Sequence, residues 1–181
     1  MGWLEPVEIR TPRLILRPAR PDDLEAMHAV LSDPRATLWW SEPPHETLEE
    51  SRTWLDAMIA NGPDHPDFVI ELEGRVIGKA GFWRLPEVGY ILHPDVWGQG
   101  LASEAVGAAI DHVFGTRDFD SLTADVDPEN AASIRLLERL GFVRTGFAER
   151  TWNVGGVWKD SVFYALSRAD RAVGVAGQAP A

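Results

Sequence analysis

Cysteine is absent from this chain of 181 residues. Its absence removes disulfide frameworks, thiolate nucleophiles and cysteine-ligated metals, and it fits a cytoplasmic address. There is also no run of about 18 apolar residues able to span a bilayer, and the opening MGWLEPVEIR lacks the basic-then-apolar profile of a secretory signal. A soluble protein with no membrane partner is expected. The five histidines show no HExxH or similar spacing, so no metal is expected either. Basic clustering is missing as well: 17 Lys and Arg stand scattered among 28 Asp and Glu, for a formal net charge of -11. Nucleic-acid phosphates need a basic stripe, so a nucleic-acid partner is not expected. An acidic cleft favours instead a cationic ligand such as an amine.

What is present suffices for one well-filled core: 45% of the residues are hydrophobic. RLILRPAR alternates as a strand, and PDDLEAMHAV opens a helix with acidic residues in its first turn. An irregular stretch with three prolines and the pair Trp39 and Trp40 leads to a second helix in ETLEESRTWLDAMIA. FVIEL, RVIGKAGFWRL and EVGYIL then read as consecutive strands of an antiparallel meander. From Leu101 a helix carries Ala105, Val106, Ala109, Ile110, Val113 and Phe114 on one face. FDSLTADV is a strand, PENAASIRLLERLG a helix capped by Asn130 and ended by Gly141, and two strands joined at NVGG close the domain. The expected architecture is mixed α/β: one sheet with helices on its faces, as a single domain over residues 9–168. Residues 1–8 are read as an N-terminal extension and 169–181, without periodicity, as a disordered tail.

Between the third strand of the meander and the following helix lies HPDVWGQGLASEA. A strand, a glycine-rich turn and a helix start make an anion site, because first-turn N–H groups lack partners and the helix dipole is positive there. Gly98 and Gly100 let successive amides curve toward one centre, which suits a pyrophosphate. A Walker loop is absent, and GQGLAS departs from the dinucleotide fingerprint. A turn that only permits tight helix packing is the alternative.

VGYILHPDVWGQGLASEA, then ENAASIRLLERLGF, then VWKDSVFYAL resemble the GCN5-related N-acetyltransferase (GNAT) superfamily, in its RimJ/RimL-like branch, and TPRLILRPARPDDLEAM resembles the opening of that branch. The likeness runs from about Thr11 to Leu166. In the family's signature loop, Gly100 and Ala102 match the end while Trp97 stands in the usual Gln/Arg place. The resemblance implies a largely antiparallel sheet splayed between its fourth and fifth strands and flanked by about four helices. It implies acetyl-coenzyme A (acetyl-CoA) as donor and an amine as acceptor, a small molecule or a protein N-terminus, with a homodimer as a candidate assembly. Backbone amides of Trp97, Gly98, Gln99, Gly100, Leu101 and Ala102 would hold the pyrophosphate. Gly89, Tyr90, Ile91 and Leu92 would pair with the pantetheine arm, with a bulge at Gly89 opening the splay. Asn130 would reach the pantetheine, and Arg135 and Arg139 the 3'-phosphate.

Amine acetylation needs a neutral nucleophile, a polarised thioester carbonyl and a proton for the leaving thiolate. The N–H of Leu92 or a neighbour is the candidate for polarising the carbonyl. Asp125, which falls where some relatives carry a glutamate, and Glu87 are the candidate bases. Many relatives take the proton from a tyrosine, but Leu137 stands in that place here. Ser133, where RimL-type enzymes carry a serine assigned as donor, is the candidate acid, with Tyr164 in reserve; His93 is read as structural. Trp39, Trp40, Glu42 and Trp152 are expected to form an apolar, cation-receptive acceptor wall. A catalytically silent CoA-binding module is the reading of a different class.

Overall fold

The computed structural model describes residues 7–176. Eight strands form one sheet: β1 (Ile9–Arg10), β2 (Leu14–Arg17), β3 (Asp67–Leu72), β4 (Arg75–Arg84), β5 (Glu87–Leu92), β6 (Ser121–Val126), β7 (Val143–Val154) and β8 (Val157–Ser167), in the order β1-β2-β3-β4-β5-β6-β8-β7. Five helices flank it: α1 (Leu24–Leu31), α2 (Leu48–Ala60), α3 (Leu101–Thr116), α4 (Ala131–Arg139) and α5 (Arg168–Ala176). The unexpected β1 is only two residues long, which moves the splay to β5 and β6 when strands are counted from the N-terminus.

Each sheet face has its own core. α3 and α4 cover one face with Ala105, Ile110, Leu136 and Leu137 against Phe68, Phe82, Leu122 and Leu166. α1 and α2 cover the other, where Met27, Leu31, Leu55 and Met58 meet Val69, Val76 and Ile91. Two salt-bridged sites lie on that second side. Arg17 is bonded to Asp23 at 2.8 Å and Glu71 at 3.0 Å, and Lys79, 2% exposed, sits 2.7 Å from Asp67. The helix start at α2 follows from sequence directly: Thr47 accepts from the Glu50 N–H while Glu50 accepts from the Thr47 N–H.

β5 and β6 run parallel and share a single register point, Glu87 opposite Thr123, where the Thr123 N–H donates to the Pro86 carbonyl at 2.9 Å. Beyond it they diverge. The His93 N–H bonds the Ile77 carbonyl at 2.8 Å on β4. By alternation, the N–H groups of Tyr90 and Leu92 point away from β4 into the opening. The bulge expected at Gly89 is instead on the facing strand. The register passes from Gly81 opposite Gly89 to Arg84 opposite Glu87, so Phe82 and Trp83 together oppose Val88. Phe82 is fully buried and keeps its N–H on Pro66, so the extra residue is accommodated on β4.

The tail expected from residue 169 needs correcting within the described residues, because Arg168–Ala176 is helix α5. Its start is capped by Ser167, which accepts from the Asp170 N–H at 3.0 Å and donates to the Asp170 carboxylate at 2.6 Å. Arg171 then anchors it to Asp111 of α3 at 2.7 Å. Residues 177–181 of that tail, and residues 1–6 of the expected N-terminal extension, lie outside the described residues.

Candidate active site

A cleft of about 1660 Å³ runs through the opening between β5 and β6, from the start of α3 to the loop joining α1 and α2. At one end, Gly98 and Gly100 have φ of 75° and 76°, the left-handed region that side chains disfavour. A Cβ on Gly98 would meet nothing within 4 Å, and one on Gly100 would meet only an Arg13 nitrogen at 3.6 Å. Within the chain it is therefore conformation, not crowding, that requires glycine here. The turn delivers the first-turn N–H groups of Leu101, Ala102 and Ser103, which have no intrahelical acceptors, to the cleft. The Leu101 side chain itself is buried in the core, so only its backbone can serve.

An acidic residue, Glu104, stands in the same helical turn, where it would oppose an anion. Burial works against its ionisation, yet Thr11 and Arg13 hold its carboxyl below the ordinary range. Thr11 donates to it at 2.6 Å, Arg13 Nε at 2.7 Å and the Arg13 N–H at 2.9 Å, while Arg13 also donates to the Gln99 carbonyl at 2.8 Å. The start of β2 thus fastens the loop to the helix.

Unpaired strand amides beside a glycine-turned helix start fit a ligand with amide groups and a pyrophosphate, as CoA has. Comparison with known proteins agrees. Residues 13–143 match the acetyltransferase (GNAT) domain family. The chain belongs to the GNAT acetyltransferase family. It is 28% identical over 172 residues to the uncharacterized N-acetyltransferase p20 of Bacillus licheniformis, covering 90% of this chain and 97% of that one. To the spermidine N(1)-acetyltransferase of Escherichia coli K12 it is 28% identical over 156 residues, 81% of this chain and 82% of that one. Its fold superposes on RimL, a ribosomal-protein alpha-N-acetyltransferase solved in complex with CoA, with a TM-score of 0.76 at 21% identity, over 89% and 98% of the two chains. The protein is an acetyl-CoA-dependent N-acetyltransferase that moves an acetyl group to an amine.

In this GNAT protein the cleft gathers most of the residues singled out in the sequence. Gly89, Tyr90, Ile91, Leu92, Trp97, Gly98, Gly100, Leu101, Ala102, Asn130, Ser133 and Arg135 all line it, as do Glu87, Asp125, Trp39, Trp40, Glu42 and Trp152. Gln99 joins through its neighbours, its carbonyl held by Arg13. Trp97 departs from expectation: its own N–H donates to the Pro94 carbonyl at 3.1 Å and so is committed elsewhere. The indole instead donates to the Leu92 carbonyl at 3.0 Å, tying the loop to the strand. His93 accepts from the Asp95 N–H at 3.3 Å, in keeping with a structural role.

Asn130 caps α4, accepting from the Ser133 N–H at 3.1 Å. Tyr90 was expected to act through its backbone alone, but its side chain matters too. The phenol is buried beside Ser133, close enough for the serine to favour its ionised form but with no hydrogen bond of good geometry among the described residues. Burial pushes its pKa up to about 12, an effect that the serine partly offsets. Tyr164 is corrected: it is 3% exposed, packs in the core with Val162 and Leu166, and does not line the cleft. Strand alternation turns it toward the helices.

Glu87 has its carboxyl pKa raised, first by burial and then by the negative charge of Asp125. The Trp152 indole donates to Asp125 at 2.8 Å, so Trp152 orients a carboxylate rather than only walling the cleft. The aromatic faces expected to await a cation already hold the protein's own. Lys79 Nζ is 5.9 Å from the Trp40 ring centroid, and Lys159 Nζ is 5.4 Å from that of Trp39. Neither lysine stands out in the sequence, because each lies in an unremarkable strand.

Proposed function

We propose that catalysis proceeds by direct transfer within this cleft, with residues 9–168, extended by the α5 helix docked on α3, as the single acetyltransferase domain. The observation that carries the reading is the convergence, at one opening in the sheet, of unpaired strand N–H groups, two interacting carboxylates and two hydroxyls. The Leu92 N–H polarises the thioester carbonyl, a donor that needs no particular side chain. Glu87, its pKa raised, takes the ammonium proton directly or through water, and Asp125 keeps that pKa high. Ser133, with the Tyr90 phenol beside it, donates a hydrogen bond to the departing sulfur and relays to it the proton that the amine nitrogen sheds as the amide forms, so the hydroxyl is restored. The glycine turn and α3 hold the pyrophosphate, and Arg135 lies on the same wall for the 3'-phosphate.

The acceptor in this reading is a cationic amine, a small polyamine-like molecule or a peptide N-terminus. Glu42, Glu46, Asp125 and Asp127 in the lining support it, as do the activities named for the spermidine and ribosomal-protein relatives. A homodimer belongs to the reading too, supported by the exposed Val143 and Phe147 on edge strand β7, and sedimentation velocity tests it. So does an intracellular address, where acetyl-CoA is made, which fractionation of the tagged protein tests. The deciding experiment is release of free thiol from acetyl-CoA across a panel of amines. Transfer to cationic amines is expected; CoA binding without release on any amine would leave a binding module instead. In an active preparation, Asp125→Asn should move the acidic limb of kcat/KM to lower pH, because removing the neighbouring charge lowers the Glu87 pKa. An unmoved limb would assign the base elsewhere.

A further inference from the structure

The acceptor end of the cleft is bridged from above. The hairpin of β7 and β8 and the α1–α2 loop meet at two places: a Cβ on Gly155 would lie 3.5 Å from Pro43, and Lys159 reaches across to Trp39. The Lys159 ammonium stands 5.4 Å from the centroid of the Trp39 ring and 3.8 Å from the Asp127 carboxylate, and all three residues line the cleft. An aromatic face beside a carboxylate is what an ammonium ligand requires.

The two lysines of the cleft are held differently. Lys79 is 2% exposed and 2.7 Å from its carboxylate, a fixed part of the floor. Lys159 has a side chain 30% exposed, and its 3.8 Å separation is too long for a hydrogen bond. Its partner has other employment, since Asp127 also accepts from the Glu129 N–H at 2.9 Å. A loose ion pair and one cation–π contact make a weak tether, and releasing it returns rotamer freedom to a long side chain.

We propose that Lys159 is an internal stand-in for the acceptor's ammonium: it occupies the Trp39–Asp127 cation site in the free enzyme, closing the mouth, and a cationic ligand binds there by displacing it. The inference rests on the proposed acceptor class, but its central test needs no turnover. Lys159 is then a specificity-determining residue, because only a ligand that replaces its charge restores the site, while neutral amines leave Trp39 and Asp127 to the lysine.

The test is titration of the CoA-saturated full-length protein with tetramethylammonium, a cation that cannot be acetylated, at constant ionic strength and followed by ligand-observed NMR. Lys159→Met should bind the probe about five-fold more tightly than wild type, and Lys159→Arg should stay close to wild type. Adding Trp39→Leu to Lys159→Met should abolish the gain. Equal or weaker binding by Lys159→Met, with thermal unfolding showing an intact fold, overturns the proposal; a merely structural lysine would give that result. Should Lys159→Met fail to fold, Lys159→Gln carries the same comparison. Unchanged probe binding in an enzyme that acetylates cationic amines removes the stand-in alone. Tighter probe binding in a protein that acetylates none removes the acceptor assignment and leaves the cation site.

Discussion

Tyr90 holds a buried hydroxyl that makes no hydrogen bond of good geometry among the described residues, although it lies beside Ser133. An orphaned polar group of this kind costs about 1–3 kcal/mol. Retaining it makes physical sense if a partner arrives with the donor, and the leaving sulfur is such a partner. Tyr90→Phe should therefore stabilise the protein by about 1 kcal/mol in thermal or urea unfolding, while kcat falls by about ten- to one-hundred-fold. A variant that gains stability and keeps full turnover would make the phenol a packing residue. Ser133→Ala is expected to lower kcat by a similar factor, about ten- to one-hundred-fold, with acetyl-CoA affinity held within a few-fold in stopped-flow binding. Ser133 was singled out in the sequence through the resemblance to RimL-type enzymes, and the structure places it on the cleft wall one turn beyond Asn130. Tyr90 as a side chain was not, because its meaning depends on Ser133 of α4 lying beside it, a contact between residues far apart in the chain.

At the scale of elements, long patterned segments were readable and short or bent ones were not. α3 announced itself through an apolar stripe that the core now contains, and α4 through Asn130 and Gly141 at its two ends. β1 is too short for alternation to register. α5 begins with a Ser-x-x-Asp box, but its small and apolar composition hid the signal. The bulge moved from Gly89 to β4 because the choice of strand is made by burial of Phe82, which no local pattern reveals. The loop element yields the sharpest forecast. Gly100 is left-handed, so Gly100→Val carries a backbone penalty of roughly 1–2 kcal/mol or more and should turn the first α3 amides away from the phosphates. Calorimetry should show at least a tenfold loss of CoA affinity, about the same energy. Gly100→Asn should suffer less, since Asn tolerates this conformation. Equal losses for both would mean that bulk, not backbone, decides.

For the molecule as a whole, one group through which pH acts on stability is His112 of α3, whose ring stands edge-on to that of Phe68 with centroids 5.5 Å apart. Burial, and then the charge of Arg117, lowers its pKa below the usual 6.5. Above that value folded and unfolded chains are both neutral here, and the residue contributes no pH dependence. As pH falls below 6.5, the unfolded chain takes up its proton first, so stability declines until the folded-state pKa is passed. Thermal unfolding between pH 7 and 5 should show this decline, and His112→Gln should flatten it. An unchanged slope in the variant would assign the effect to the many carboxylates.

Both ends of α3 are tied by arginines from elsewhere in the chain. Arg13 fastens its start to the glycine loop through Glu104 and Gln99. At the other end, Arg168 donates to the carbonyls of Phe114, Arg117 and Phe119. The helix between is a stiff rod of 16 residues, about 24 Å long. A chain cut just before Arg168 would keep every residue of the cleft and the Arg13 tie at the near end, yet it would release the rod's far end. Trimming the C-terminus is thus expected to affect binding of the acetyl donor only along the length of α3, through a helix still pinned at the end nearer the cleft.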